Sequence, residues 1–279
     1  MTIDSKARTS RGMIQTPDGQ IEYREMGEGK PLLLLHGLPQ SSRQYDQHMW
    51  RVAQDRRVIA MSMMGCGQSA RPEVPYTEMN QYAETVLWFL DSLDIDKTDI
   101  FATHTGSALA VSFAALYSNK INKLIIQEPF HYAALEGGKE RLFKAHNYYP
   151  IKNDGSHLLD IWEKSGGTDP SSDLHRVMEK VVDHLILDSR ENVKEIYGDF
   201  GWEGAIPFCM LKYDFFEAIK NITVPTLVVH GSQSALGVQH NDFVNGLPNG
   251  EGIRPESISL MNLDKNPEQW AKIINKFIN

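Results

Sequence analysis

Asp99-Ile100-Phe101-Ala102-Thr103-His104-Thr105-Gly106-Ser107-Ala108-Leu109-Ala110 is the stretch from which the rest of the chain is read. A short apolar run passes through a turn into a helix start made of small residues, with Ala102, Gly106 and Ser107 around His104. These are the steric requirements of a strand-turn-helix elbow. The central side chain stands out on a strained turn, and its neighbours stay small so that strand and helix can approach. The common form of this elbow, G-x-S-x-G, carries serine at its centre; here the centre is His104. A register one residue later would centre Thr105, but it puts β-branched Thr103 where a small residue is wanted.

Working outward, residues 13–15, 21–26 and 32–35 predict three strands, separated by turns at Pro17-Asp18-Gly19 and Gly27-Glu28-Gly29. Residues 41–55 are predicted as a helix and 58–61 as a buried strand. Over 76–93, Met79, Ala83, Val86, Leu87, Leu90 and Leu93 recur at helical spacing. After the elbow, residues 123–128 form the next strand. Strands alternating with amphipathic helices imply an α/β fold whose mostly parallel sheet is covered on both faces. Its ligands are expected at the carboxyl ends of the strands. From about residue 130 to 220 aromatic and histidine content rises, with helical segments such as 172–187 and no strand pattern. The strand-helix rhythm resumes at 225–231 and 257–260. A final helix over 267–278 places Trp270, Ile273, Ile274 and Phe277 on one face. The expected organisation is a core in two parts, 1–129 and 221–279, with a helical cap over 130–220.

Composition narrows the function classes. A chain of 279 residues, 41% of them apolar, can bury a sizeable core as one domain with an insertion. A net charge of -8 with no basic stripe argues against nucleic acid or an anionic membrane as partner. No apolar run approaches the ~18 residues of a membrane span, and the first residues lack the apolar segment of a secretory signal, so a cytoplasmic protein is expected. Cys66 and Cys209 are read as free thiols, and no metal-ligand spacing appears.

Three motifs outside the elbow carry a resemblance. Leu35-His36-Gly37-Leu38-Pro39-Gln40 resembles the oxyanion loop of α/β-hydrolase-fold proteins, especially epoxide hydrolases and haloalkane dehalogenases. Gly65-Cys66-Gly67-Gln68-Ser69 resembles the family's G-x-G-x-S loop, and Leu93-Asp94-Ile95 leads into the elbow without a gap. Residues 76–121 and Glu128 are also similar to the zearalenone-lactonase branch. The resemblance covers nearly the whole chain and implies an α/β-hydrolase fold with a helical cap.

That family attacks substrate with a serine or aspartate, assisted by a histidine and an acid. This chain keeps the frame and changes the actors. His104 holds the nucleophile position, Ser234 stands where the common acid is expected, and Met261-Asn262-Leu263-Asp264-Lys265-Asn266 supplies no base histidine. The resemblance makes Glu128, at the end of its strand, the remaining acid, able to orient His104 and raise its basicity. Oxyanion donors are expected from the backbone N–H groups of Leu38 and Thr105. His36 either braces the oxyanion loop or touches substrate. His131, Tyr132, Ser234 and Trp202 are further candidates for substrate binding, with Tyr148, Tyr149, Trp162 and Phe208 as apolar wall.

The expected function is a cofactor-free enzyme using His104, paired with Glu128, as general acid/base on a small apolar carbonyl compound. Lyase, isomerase or cyclase chemistry is favoured by the loss of the serine. Hydrolysis of an ester or lactone through His104-activated water is the alternative, and an inactive ligand-binding relative is another. The sequence leaves oligomeric state open, a homodimer included.

Overall fold

The runs Leu32-Leu33-Leu34-Leu35 and Val58-Ile59-Ala60-Met61 do not alternate with polar residues, so both faces of each strand must be covered. In the computed structural model, which describes residues 9–146, 149–187, 205–256 and 263–279, these runs lie inside an eight-stranded sheet. The strands are β1 (Ser10–Thr16), β2 (Gly19–Met26), β3 (Lys30–Leu35), β4 (Arg56–Met61), β5 (Thr98–Thr103), β6 (Ile121–Gln127), β7 (Thr226–Val229) and β8 (Gly250–Ile253). Their order across the sheet is β1-β2-β4-β3-β5-β6-β7-β8. The pairs β1/β2 and β2/β4 are antiparallel and the rest parallel.

The period-two geometry of the strands divides the core in two. Leu33, Leu35, Ile59, Met61, Ile100 and Ala102 face one side, in the cluster that includes helices α1 (Met79–Ser92) and α2 (Thr105–Tyr117). Leu32, Leu34, Val58, Ala60 and Phe101 face the other, against the C-terminal helix Pro267–Ile278 through Trp270, Ala271, Ile274 and Ile278. There Trp270 stacks on Tyr45 and meets Phe101 edge-on. Between β6 and β7 the described residues are helical: α3 (Gly138–Ala145), α4 (Ser156–Lys164), α5 (Leu174–Leu187), α6 (Ala205–Lys212) and the single turn α7 (Phe215–Ala218).

Two sequence expectations differ from the structure. Residues 41–55 form short 3-10 turns at Ser42–Tyr45 and Met49–Arg51 instead of one helix. Polar groups there are committed elsewhere: Ser41 accepts from the Arg43 N–H, the Ser42 N–H donates to Ser62, and Gln44 accepts from the Gly37 N–H. Such bonds compete with helix propagation. A strand that the sequence reading did not contain, Gly250–Ile253, is the last among the described residues and is preceded by helix α8 (His240–Gly246). Two glycines had masked it, since glycine weakens strand patterning. The expected strand at 257–260 lies outside the described residues, as do Met261 and Asn262 of the loop searched for a base histidine.

At the elbow, Gly106 fixes how closely α2 meets the sheet. A Cβ there would lie 2.5 Å from the Leu35 carbonyl oxygen and 2.6 Å from that of His36. Both obstacles are backbone, so neither can swing aside. Gly106→Ala is therefore expected to destabilise the fold by about 3 kcal/mol, at the upper end of overpacking costs. Denaturant melts of the two proteins check this, and an unchanged midpoint would count against the close approach.

Candidate active site

β5 ends at Thr103 and α2 begins at Thr105, leaving His104 as the pivot with φ 51° and ψ -115°. A non-glycine residue in this region carries backbone strain of roughly 1–3 kcal/mol, held by the surrounding structure. What holds it is visible. The His104 N–H donates to the Gln127 carbonyl at 2.8 Å, and the Ser107 hydroxyl lies 2.8 Å from the same carbonyl oxygen and 3.0 Å from that of Ala102. The neighbouring strand ends the same way, with Glu128 at φ 52°. The expected elbow is present, centred on His104.

The His104 side chain is partly exposed, into a cavity of about 220 Å³. Gly37, Leu38, Pro39, Gln40, Gln44 and Thr103 line it on the sheet side, and Ala145, His146 and Lys164 on the side of the helical insertion. The His104 ring packs on Phe130 at 4.6 Å between centroids, and His146 faces it at 6.2 Å. Its Nδ1 lies 3.1 Å from the Thr105 hydroxyl, to which the Leu38 N–H also points, at 3.5 Å. Burial, and secondly the neighbouring His146, push the His104 imidazole down to about 3. It is neutral throughout the physiological range.

The two residues expected as oxyanion donors are placed differently. Leu38 lines the cavity and its N–H is only loosely engaged. Thr105 is the first residue of α2, where an N–H has no acceptor inside its own helix. The Leu38 N–H is thus a backbone donor on the cavity wall, while Thr105 is buried and not among the lining residues.

Other sequence candidates sit elsewhere. Glu128 is buried, but its carboxylate accepts from the Gly231 N–H at 2.9 Å and from the Ser234 hydroxyl. These bonds tie β6 to the loop after β7, and the expected hydrogen bond to His104 is not among its contacts. Burial raises the Glu128 carboxyl above its ordinary range, opposed by the Gly231 and Ser234 bonds and by Arg254. Ser234 is consequently occupied in holding Glu128 and in accepting from the Leu236 N–H. His36 is fully buried: Nε2 accepts from the Met63 N–H at 3.0 Å, which leaves Nδ1 to donate to the Gly37 carbonyl at 3.2 Å. It braces the oxyanion loop and does not line the cavity. His131 packs its ring against Phe215 and Phe216. Tyr132 packs its ring tilted against Phe130, one ring removed from His104. Trp202 and Tyr148 lie outside the described residues.

Sequence reading missed Thr103, Gln44, Phe130, His146 and Lys164. Thr103 and Phe130 adjoin residues already singled out and were readable from that adjacency. His146 and Lys164 end insertion helices whose placement no local pattern announces. Among the described residues no group of three or more His, Cys, Asp or Glu side chains is placed to hold a metal ion, and no helix is long and apolar enough to cross a membrane.

Comparison with known proteins accords with this architecture. The family model described as alpha/beta hydrolase fold matches residues 30–251. A proline iminopeptidase of Heyndrickxia coagulans is 24% identical, covering 97% of this chain and 99% of that protein. A 2-hydroxy-6-oxo-6-(2'-aminophenyl)hexa-2,4-dienoic acid hydrolase of Metapseudomonas resinovorans is 26% identical over 76% of this chain and 70% of its own length. Among solved structures, the epoxide hydrolase VrEH1 from Vigna radiata superposes with a TM-score of 0.74 at 16% identity, covering 97% of this chain and 98% of that one.

The buried imidazoles have a measurable consequence. In the fold burial holds His104 at about 3, His36 at about 4 and His230 at about 4, all below the unfolded value near 6.5. Their stabilising contribution is complete above 6.5 and is lost as pH falls from there toward 4, because only the unfolded chain takes up the protons. Asp183, raised to about 6 chiefly by burial, binds a proton in the fold over the same interval and offsets one of them. His104→Gln is expected to flatten the slope of unfolding free energy against pH between 6 and 4.5 by about 1.4 kcal/mol per pH unit. Identical slopes from urea melts of the two proteins would mean that His104 titrates normally.

Proposed function

We propose, on the premise that the chain belongs to the α/β-hydrolase-fold family and is an enzyme of that superfamily, that His104 is its general acid/base and that it acts on a small carbonyl compound without forming a covalent intermediate. The observation that carries this is the imidazole on the strained elbow, facing the cavity beside the Leu38 N–H. In the step supported best, a carbonyl oxygen sits at the Leu38 and Thr105 N–H groups. The neutral imidazole takes a proton from the adjacent carbon, and the electron pair left behind becomes an enolate facing those donors. Return of the proton to another atom completes an isomerisation. Return to a departing group completes an elimination, and attack by the enolate carbon on a second carbonyl of the same substrate, whose C=O π pair moves to oxygen and takes the imidazolium's proton, closes a ring.

A buried imidazole resists charging, and the enolate is what overcomes this resistance. Negative charge formed a few ångströms away stabilises the imidazolium as it appears, in surroundings where charges interact more strongly than in water. The Thr105 hydroxyl at Nδ1 can donate or accept, so it accompanies either protonation state of the ring. Thr105 is thus a positioning residue, in the place that the sequence suggested for Glu128.

Hydrolysis of an ester or lactone by water activated at His104 is a second reading, favoured by the hydrolase names of the relatives. Absence of a serine or aspartate at the elbow centre places it behind proton transfer. The two readings separate in D2O. With a panel of small ketones, keto acids and lactones, proton NMR reports exchange of carbon-bound hydrogen and hydrolysis in the same spectrum. Exchange by the native protein is expected to fall about 10²–10⁴-fold in His104→Gln, the usual contribution of general acid/base catalysis. Hydrolysis lost in that variant, with no exchange in either protein, would select the second reading. Equal exchange rates in both would remove His104 from the chemistry.

A further inference from the structure

Behind the loop that carries Leu38 the chain passes through the turn at residues 41–44, and helix α5 of the insertion is bonded to that turn at three points. Arg176 donates to the Arg43 carbonyl at 3.4 Å and to the Gln44 carbonyl at 3.2 Å. Two helical turns further on, Asp183 accepts from the Ser41 hydroxyl at 2.8 Å. The same turn shapes the cavity wall. Gln44 lines the cavity, and its side-chain oxygen accepts from the Gly37 N–H at 3.0 Å, directly before Leu38. From the sheet side Ser62 holds the turn by accepting from the Ser42 N–H.

Asp183 is the unusual member of this seam. It is 2% exposed, and one of its oxygens is bonded to Ser41. The other has no hydrogen-bond partner among the described residues and lies 3.6 Å from the Arg43 guanidinium. Charges of both signs face it: Arg43 on the turn attracts, while Glu22 on β2 and Glu179 one turn back on α5 repel. Arg176 is paired with Glu179, Lys180 lines the same crevice between α5 and the turn, and the neighbouring His184 turns its ring to Tyr149. A carboxyl group so enclosed is costly to keep as an anion and much less so as a neutral acid.

We propose that Asp183 is a positioning residue, the clamp by which α5 holds the turn behind the Leu38 N–H, and that this clamp tightens when the carboxylate takes up a proton. Burial raises the Asp183 carboxyl from 3.8 to about 6, opposed by the Ser41 bond and by Arg43. Where α5 lifts from the turn, the group meets water and returns toward its ordinary value. The docked form therefore binds the proton more tightly, so docking strengthens as pH falls through 6, and the gain is complete near 3.8. Between pH 7.5 and 5 the docking equilibrium shifts about tenfold. Its sense is opposite to that of the buried imidazoles, which weaken the whole fold over the acid part of this interval. The consequence for catalysis rests on the acid/base reading of the site, in which the Leu38 N–H meets the substrate oxygen; the clamp itself does not.

Amide hydrogen–deuterium exchange of the full-length protein, corrected for the intrinsic pH dependence of exchange, reads the clamp without any turnover. The N–H groups of Gly37, Gln40, Arg43 and Gln44 are the reporters, since each is bonded within the loop and turn. Their protection in the native protein is expected to rise about tenfold from pH 7.5 to 5. Asp183→Asn keeps a side-chain oxygen for Ser41 and carries no charge, so it is expected to protect the turn equally at both pH values. Asp183→Ala, shown to be folded by circular dichroism, is expected to protect it at least tenfold less than the native protein at pH 5. Protection that does not change with pH in the native protein, or that rises as much in Asp183→Asn, would overturn the clamp, and neither result depends on the alanine variant folding. His104→Gln separates this outcome from failure of the catalytic reading. That variant is expected to keep the pH response of the turn while losing carbon-hydrogen exchange. If it keeps both, the catalytic reading is wrong and the clamp stands; if the turn of the native protein is indifferent to pH, the clamp is wrong whatever the catalysis.

Discussion

The close contact of α2 with the carboxyl end of β3 governs the whole site. Gly106 meets the Leu35 and His36 carbonyls where no side chain fits, and the chain must reverse within one residue between Thr103 and Thr105. That reversal forces residue 104 into a positive φ and turns its side chain toward the strand ends. The fold therefore dictates that some functional group is presented there, and the sequence decides which. Here that group is an imidazole, where the common form of the elbow carries a hydroxyl.

The surroundings then define what kind of histidine this is. Phe130 packs on the ring and His146 faces it, and burial together with the neighbouring His146 holds the imidazole neutral. Among the described residues no carboxylate hydrogen-bonds to it. The acid that the family pattern would assign to it, Glu128, instead joins two strand ends by accepting from Gly231 and Ser234. A carboxylate oriented on His104 would make a stronger base and stabilise imidazolium permanently. The neighbour the structure gives it instead is the Thr105 hydroxyl, 3.1 Å from Nδ1.

The parts of this arrangement that were legible in the sequence are those set by local sterics and short-range periodicity. The small residues around His104 announced the elbow, and the unbroken apolar runs at Leu32 and Val58 announced buried parallel strands. Leu38 and Thr105 followed from their positions beside those features. Contacts between distant segments were less accessible. The partners of Glu128 depend on how the loop after β7 folds back, and the burial of His36 depends on the Met63 N–H reaching its Nε2. His131 and Tyr132 pack on aromatic neighbours, Phe215 and Phe216 for the one and Phe130 for the other. His146 and Lys164 enter from helices whose amphipathic pattern identifies a buried face but not what it covers. Gly250–Ile253 forms a strand because β7 pairs with it, a tertiary effect that overrides two glycines.

The central claim, that a neutral imidazole is presented to the cavity, is tested most directly by nitrogen-proton correlation NMR of the histidine side chains, with His104 assigned by its disappearance in His104→Gln. The account requires a His104 signal that keeps the pattern of a neutral ring from pH 8 down to 5 and shifts when a small ligand enters the cavity. A signal that titrates near 6.5, or one indifferent to every ligand that binds the protein, would contradict it.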